Sequence, residues 1–133
     1  MLHPDGSASV DLGGKSVLSC GWDKGSGFRL SIGDAASGEA YALHLGPFTL
    51  EQRGQVQEFD PNDSAVPPTV LFNQRVARAE IGVNGALAVH FVDGAIVRCD
   101  TQSDYEAWEL RGPNGLLVVA VPGAGGFAFW GPQ

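Results

Sequence analysis

The segment YEAWELR, residues 105–111, combines the side chains of this chain that are best suited to binding chemistry. In a β-strand the side chains alternate between two faces, so Tyr105 and Glu109 are predicted on one face, and Glu106 and Trp108 on the other. Each face then carries an aromatic ring and a carboxylate, which suits an amine, a sugar, or an Arg or Lys of a partner protein. The candidate binding residues are Tyr105, Glu106, Trp108, Glu109, Arg111 and His90.

The same segment is also compatible with a structural role. Trp108 would then fill the hydrophobic core, and Glu106 would pair with Arg111 or Arg98. A carboxylate that shares a face with a buried Trp needs such a partner, because burying an unpaired charge is costly. The sequence leaves both interpretations open.

Catalytic arrangements have weaker support. Glu106 with Glu109, or Asp104 with Glu106, could act as the paired carboxylates of a glycosidase, but two acids in one strand do not by themselves flank a substrate. The glycine-rich stretches GPNG and GAGG lack a following helix, so we interpret them as turns and not as phosphate-binding loops.

The histidines and cysteines are scattered along the chain and show no metal-ligand spacing. They are His3, His44, His90, Cys20 and Cys99. A nucleophilic Cys99 assisted by His90 and Asp100 would need a basic neighbourhood or a helix N-terminus to lower the thiol pKa, and the sequence predicts neither. We therefore expect a buried, structural Cys99, no catalytic residue, no metal and no cofactor.

Charge restricts the class of partner. The 133 residues include 15 acidic and 8 basic side chains, which gives a formal net charge of −7. Most of the surface would repel a phosphate backbone, so nucleic acid is not expected as a partner. A basic protein would instead be attracted and oriented by this charge.

The targeting signals that a sequence can show are missing from this one. The N-terminal residues have neither the basic region nor the apolar core of a signal peptide, and no run of about 18 apolar residues occurs. Two cysteines are too few for a disulfide framework. These features predict a soluble, cytoplasmic protein with no membrane partner.

The elements that must position these residues are β-strands, because apolar residues alternate with polar ones along most of the chain. The first half contains the strand-like runs SVLSCGW, GFRLSIG and EAYALHLG, and the second contains RVARAEIG, ALAVHFV and AIVRCDT. Each half then reaches an Arg-Gly pair between two extended runs, at residues 53–54 and 111–112, as in a hairpin. The nearly charge-free C-terminus, GLLVVAVPGAGGFAFWG, is predicted to be the last hairpin of the core.

We therefore predict one domain over residues 1–133, mainly β, with about eight to ten strands. Two similar three- to four-stranded antiparallel meanders, at about residues 14–60 and 74–131, would form a sandwich or a flattened barrel. Their similarity predicts an internal duplication. One short helix near residues 64–73, capped by Asp63 or Ser64 and ended by Asn73, would link the halves with Val70, Leu71 and Phe72 on its apolar side.

The C-terminal pattern resembles that of a family of small bacterial proteins, common in actinobacteria, whose function is unknown. The matching positions are Tyr105, Glu106, Trp108, Leu110, Gly112, Pro113, Gly115, Leu116, Pro122, Gly123 and Trp130. The similarity also includes GPFTLE and FDP, so it extends over most of the chain. The resemblance implies no reaction, cofactor or substrate.

Two classes of function follow. The first is a non-catalytic protein-interaction module, for instance an immunity-type inhibitor of a basic toxin or enzyme. The second is a small-ligand-binding barrel or an enzyme with an internal pocket, lined by Phe28, Phe91 and Trp108, with His90 or Tyr105 as its polar group. Either class is compatible with a homodimer that forms through a sheet edge.

Overall fold

The structure is a computed structural model that describes residues 1–23, 27–34, 36–61, 68–123 and 125–131. Within these residues the chain forms eleven strands and two single-turn 3₁₀ helices, at Thr69–Leu71 and Pro113–Gly115. The strands are β1 (Ala8–Asp23), β2 (Gly27–Gly33), β3 (Ala40–Leu45), β4 (Phe48–Gln52), β5 (Gln55–Phe59), β6 (Arg75–Ile81), β7 (Leu87–Phe91), β8 (Ile96–Cys99), β9 (Trp108–Arg111), β10 (Leu117–Ala120) and β11 (Phe127–Trp130). No helix among the described residues is long and apolar enough to cross a membrane.

All eleven strands belong to one antiparallel sheet in the order β11-β10-β9-β3-β2-β1-β6-β7-β8-β4-β5. The predicted mainly β, antiparallel architecture is confirmed. The hydrogen-bonded sheet is open, because its first and last strands, β11 and β5, do not pair with each other. The strands therefore do not close into a barrel.

The strand order has a symmetry about the boundary between β1 and β6. Going outward, β1-β2-β3 is followed by β9-β10, and β6-β7-β8 is followed by β4-β5. The fourth and fifth strands of each half thus extend the sheet of the other half. The internal duplication itself stays a prediction from the sequence.

The longest strand, β1, has 16 residues and joins the two meanders. Its first part pairs with β6 and its second part with β2, and the register shifts between Asp11 and Lys15, where Gly14 has a φ of 79°. Only the second part, residues 16–22, was predicted from the sequence. The first part escaped prediction because its central residues are glycines and polar side chains, which have low strand propensity.

The core is one continuous cluster to which both halves contribute. Phe28, Leu30 and Ile32 alternate with exposed or half-buried residues in β2, as predicted, and all three are fully buried. Each such side chain contributes roughly 1.5–3 kcal/mol to the free energy of unfolding. The alternation predicted in β7 is confirmed in the same way, with Leu87, Val89 and Phe91 buried.

The two Arg-Gly pairs differ in structure. Arg53 and Gly54 have φ values of 50° and 78°, so they form the two-residue turn between β4 and β5, a geometry that matches the twist of a hairpin. Gly112 is extended, with a φ of −142°, and the turn between β9 and β10 lies at Pro113–Gly115. The hairpin predicted at residues 111–112 is therefore present, but its turn lies further along the chain.

The predicted helix near residues 64–73 is replaced, in its described part, by the single turn at Thr69–Leu71. Leu71 is buried, whereas Val70 and Phe72 are about half exposed, so the predicted three-residue apolar side was wrong. Residues 62–67, with the proposed capping residues, lie outside the described part of the chain, as do residues 24–26, 35 and 124 in three of the predicted turns.

Candidate functional site

Trp108 belongs to the core. The chain bends through residues 103–105, and Ala107 and Trp108 are consecutive buried residues, each 1% exposed, at the start of β9. The predicted alternation through YEAWEL therefore fails, because the strand begins only at Trp108. The indole Nε1 donates a hydrogen bond of 2.9 Å to the carbonyl oxygen of Gly85. Trp108 thus has its polar partner inside the protein, and its predicted place on a binding surface is corrected.

Glu109 and Arg111 interact with each other on the outer face of the sheet. The guanidinium of Arg111 donates hydrogen bonds of 2.9 and 3.2 Å to the two carboxylate oxygens of Glu109. These hydrogen bonds and the carboxylate charge raise the pKa of Arg111. Arg98, the other predicted partner of Glu106, lies 3.9 Å from Glu51. In the described ion pairs, therefore, neither Arg111 nor Arg98 is paired with Glu106. Glu106 is exposed.

His90 lies apart from these residues on the outer face of β7. Its Nε2 is 2.8 Å from a carboxylate oxygen of Glu80, which also accepts a hydrogen bond from Arg78. The neighbours of His90 in β7, Val89 and Phe91, are buried on the opposite face. The structure therefore does not bring His90 to the interior, where a ligand pocket with Phe28, Phe91 and Trp108 would require it.

Cys99 is buried under the end of β8. Its Sγ lies 3.5 Å from the carbonyl oxygens of both Pro47 and Ala107, either of which can accept the single thiol proton. Burial, followed by the charge of Asp100, raises the pKa of this thiol to about 12. A protonated, buried thiol is a weak nucleophile, so this geometry supports a structural role for Cys99.

Tyr105 and Glu106 are exposed members of the predicted site, as is Arg111. The Tyr105 side chain lies beside Gly46, where an added Cβ atom would be only 3.4 Å from the tyrosine Cε2. Partial burial raises the pKa of the phenol, and electrostatic interactions with Cys99, Asp60 and Asp104 raise it further. Tyr105, although 46% exposed, therefore lies in an acidic environment at the end of β5 and β8.

A cleft of about 510 Å³ opens at this end of the sheet. Phe48 and Phe59, whose rings stack with centroids 5.3 Å apart, supply apolar lining. Pro47 completes this apolar part. The polar lining consists of Thr49, Glu58, Asp60, Arg98, Asp100 and Gln102. We call this cleft the acidic cleft, because three of these side chains are carboxylic acids and one is basic.

The strand topology explains why these acids converge. β5 and β8 lie on opposite sides of β4 and are both antiparallel to it. They therefore run in the same direction, and their C-terminal ends lie on the same side of the sheet. Asp60 follows the buried Phe59 at the end of β5, and Asp100 follows the buried Cys99 at the end of β8. Sequence reasoning missed this cleft. The available signal was the repeated order of a buried strand residue followed by an acid.

The acids of the cleft are not arranged as a metal site. Among the described residues, no group of three or more His, Cys, Asp or Glu side chains lies close enough together to hold a metal ion. The carboxylates are instead distributed around an open cleft, where they can receive cationic groups from outside.

Comparison with known proteins confirms that the chain matches an uncharacterised family, whereas the actinobacterial origin and the C-terminal motif stay predictions. The model of a family of unknown function, DUF6188, matches residues 10–131. No curated protein and no solved structure gives a match. The matched region includes all the strands from β2 to β11 and most of β1. The chain therefore belongs to DUF6188, a family of unknown function.

Proposed function

We propose that this protein is a non-catalytic interaction module that binds a basic protein through the acidic cleft. The observation that carries the proposal is the convergence of Glu58, Asp60 and Asp100 on one cleft in a chain with a net charge of −7. A cationic side chain entering the cleft would meet carboxylates on both β5 and β8. Charge complementarity of this kind speeds association and fixes orientation.

The one basic residue of the lining does not cancel this charge. The Arg98 guanidinium lies 3.9 Å from Glu51, a residue of β4 outside the lining, and both side chains are about half exposed. Its charge is therefore already partly balanced by a neighbouring strand. Glu58 and Asp100 therefore supply negative charge in the cleft for an Arg or Lys of the partner.

Tyr105 adds an aromatic contact at the rim. Its ring adjoins Gly46, the residue before Pro47 of the lining, and senses the charges of Asp60 and Asp104. A guanidinium or ammonium group placed over such a ring gains a cation–π interaction in addition to its ion pairs. Of the predicted binding residues, Tyr105 is the one that this proposal uses.

Within this class, we favour an immunity-type inhibitor that covers the cationic site of a basic toxin or enzyme. The preformed cleft between strand ends supports this, because a rigid surface loses little conformational entropy on binding. The alternative of an internal ligand pocket has less support. Phe28, Phe91 and Trp108 pack together in the core, whereas His90 and Tyr105 lie at the surface.

The experiment compares two variants with equal loss of charge. Glu58→Gln with Asp100→Asn changes the cleft, whereas Asp34→Asn with Glu39→Gln changes the β2–β3 connection. The defined probe is the peptide acetyl-Gly-Arg-Gly-Arg-Gly-amide, followed by amide NMR of the labelled protein. We expect shifts at Thr49, Asp100 and Gln102, and at least tenfold weaker binding, about 1.4 kcal/mol, in the cleft variant only.

The same three proteins then serve as baits in a lysate of the source organism. A partner that the parent and the control variant retain, and that the cleft variant loses, supports the proposal. Binding should also weaken as salt rises, because the attraction is electrostatic. Equal capture by all three proteins, or peptide shifts away from the cleft, would refute it.

A further inference from the structure

The last strand, β11, has a free backbone edge. The amide of Val121 donates to the carbonyl of Gly126, and the register continues as Val119↔Ala128 and Leu117↔Trp130. In an antiparallel ladder the residues between such bonded pairs point their amide and carbonyl groups to the other side. Phe127 and Phe129 therefore direct these groups away from β10. No hydrogen bond outside the sheet ladders uses them within the part of the chain that the structure describes.

Two clefts follow this edge on its inner side. The first, of about 350 Å³, lies at the C-terminal end of β11 and is lined by Val10, Tyr41, Leu116 and Phe129 among others. The second, of about 300 Å³, lies at the N-terminal end of the strand, between Phe127 and Val83. Phe129 lines both clefts, so they form one interrupted groove along the strand.

The N-terminal part of the chain forms the opposite wall of this groove. Met1, Ser9 and Asp11 line the first cleft, and Leu2 and Gly6 line the second. The arm is held to β1 by the bridge between Leu2 and Ala8 and by the amide of Ser9, which donates to the carbonyl of Met1. The groove is therefore bounded by the edge of β11 on one side and by this arm on the other.

We propose that β11 binds one extended, apolar peptide segment of a partner protein, which adds to the sheet antiparallel to β11. Backbone hydrogen bonds to Phe127 and Phe129 would supply affinity, and the two clefts would receive alternate side chains, which is the general logic of strand addition. The β11 edge lies at the opposite end of the strand order from the acidic cleft, so this proposal is independent of the proposed function.

Charge defines the chemistry of the segment. From Gly112 to Gln133 the chain has no charged side chain, although its net charge is −7. Among the described residues that line the two clefts, Asp11 carries an acidic side chain and Met1 carries the α-ammonium, both in the first cleft at the C-terminal end of β11. An antiparallel segment would have its N-terminal end there. The best-fitting sequence is therefore apolar at alternate positions.

The test uses the peptide acetyl-Lys-Val-Thr-Val-Thr-Val-amide and the complete chain. The control peptide has the same sequence with its Val and Thr amides N-methylated, which removes their hydrogen-bond donors. Hydrogen exchange followed by NMR should show at least tenfold slower exchange of the Phe127 and Phe129 amides with the first peptide and no change with the second.

Two variants with matched exposure locate the site. Val83→Asp places a charge beside the second cleft, and Val56→Asp places one on β5 at the other end of the sheet; the two valines are 60% and 62% exposed. We expect at least tenfold weaker peptide binding for Val83→Asp and unchanged binding for Val56→Asp. Both are surface changes, and circular dichroism would check that both proteins are folded.

Three results would overturn the proposal. The first is no exchange protection at millimolar peptide, and the second is protection of β5 in place of β11. The third is protection that appears without peptide and increases with protein concentration, because this would show that a second copy of the chain occupies the edge.

Discussion

The two ends of the sheet have the same backbone geometry and opposite surface chemistry. β5 has the sequence QVQEF, with four of its five residues exposed and a carboxylate at Glu58. β11 has the sequence FAFW, with no charge and three of its four residues half-buried. A charged side chain on an edge strand opposes the addition of another strand, whereas an uncharged apolar edge permits it. The comparison teaches that side-chain chemistry, more than the presence of an open edge, determines which partner each end can receive.

The largest expected effect comes from Trp108, the largest fully buried side chain among the described residues. Trp108→Ala removes a buried indole from β9 and should lower the free energy of unfolding by about 3–5 kcal/mol. Trp108→Phe keeps most of the volume and leaves the Gly85 carbonyl without its donor, which should cost about 1–3 kcal/mol. Urea denaturation followed by circular dichroism measures both. A loss below 1 kcal/mol for Trp108→Ala would contradict the central position that we assign to it.

Substitution of Gly85 should destabilise the β11 end of the sheet more than the β5 end. Gly85 has a φ of 91°, and a Cβ atom there would clash with the carbonyl oxygen of Gly126 just before β11. Gly94 has a φ of 96°, with open space around the added atom. We expect Gly94→Ala to cost about 1–2 kcal/mol, from backbone strain alone, and Gly85→Ala to cost about 1–3 kcal/mol more.

Hydrogen exchange of the same pair sharpens the comparison. Gly85→Ala should increase exchange in β10, which carries β11, more than in β4, which carries β5. Gly94→Ala serves as the control with the same backbone strain and no clash. Equal changes at both ends would show that the ends are coupled more strongly than their separate chemistry implies.

An intermediate effect is expected at alkaline pH. The pKa of Cys99 is raised to about 12 in the folded protein, mainly by burial, whereas an unfolded chain has an ordinary thiol pKa near 8.5. The contribution of this group to stability is therefore fully present below about pH 8.5 and is lost as the pH rises toward 12. The slope approaches about 1.4 kcal/mol per pH unit within this window.

The measurement is the free energy of unfolding between pH 8 and pH 10, roughly the lower half of that window. Cys99→Ala should have a flatter dependence than the parent, whatever its stability at neutral pH. Cys20 stays in both proteins, so its own titration cancels in the difference. If the free energies of unfolding of the parent and of Cys99→Ala changed equally with pH, the Cys99 thiol would be less buried than the structure shows.

The smallest effect should come from Arg111→Ala. Arg111 is exposed on the outer face, and its hydrogen bonds to Glu109 are open to solvent, so the unfolding midpoint should not change measurably. Peptide binding at β11 should also be unchanged, because Arg111 lies on β9 and lines neither cleft of the groove. A clear decrease in the unfolding midpoint or in peptide binding would show that Arg111 contributes to stability or to the β11 site, against this expectation.

The sequence predicted those parts of the fold that depend on local patterns. The alternation in β2 and β7 identified the strands and their buried faces, and the Arg53-Gly54 turn was found because such a turn has a short-range signal. From the sequence alone, it was not possible to tell that Tyr105 is exposed while Trp108 is buried. The bend that precedes β9 depends on contacts with Gly46 and Gly85, which are distant in sequence.

The acidic cleft could not be predicted for a related reason. Its residues come from three separate segments, and they meet only because β4 inserts between β5 and β8. The first part of β1 was missed because it is stabilised by pairing with β6 and not by its own composition. In each case the missing information was the partner of a strand, which local periodicity does not contain.

The exchange of strands between the halves has a consequence for how the chain folds. β4 cannot complete its pairing until β8 has been synthesised, because Thr49 pairs with Arg98. In the same way β3 cannot complete its pairing until β9 has been synthesised, because Leu43 pairs with Leu110. Such contacts between distant parts of the sequence give a high contact order and slow folding, typically on the millisecond to second timescale. Neither half can reach its final sheet alone on the ribosome, and we expect the protein to fold only after nearly the whole chain has emerged.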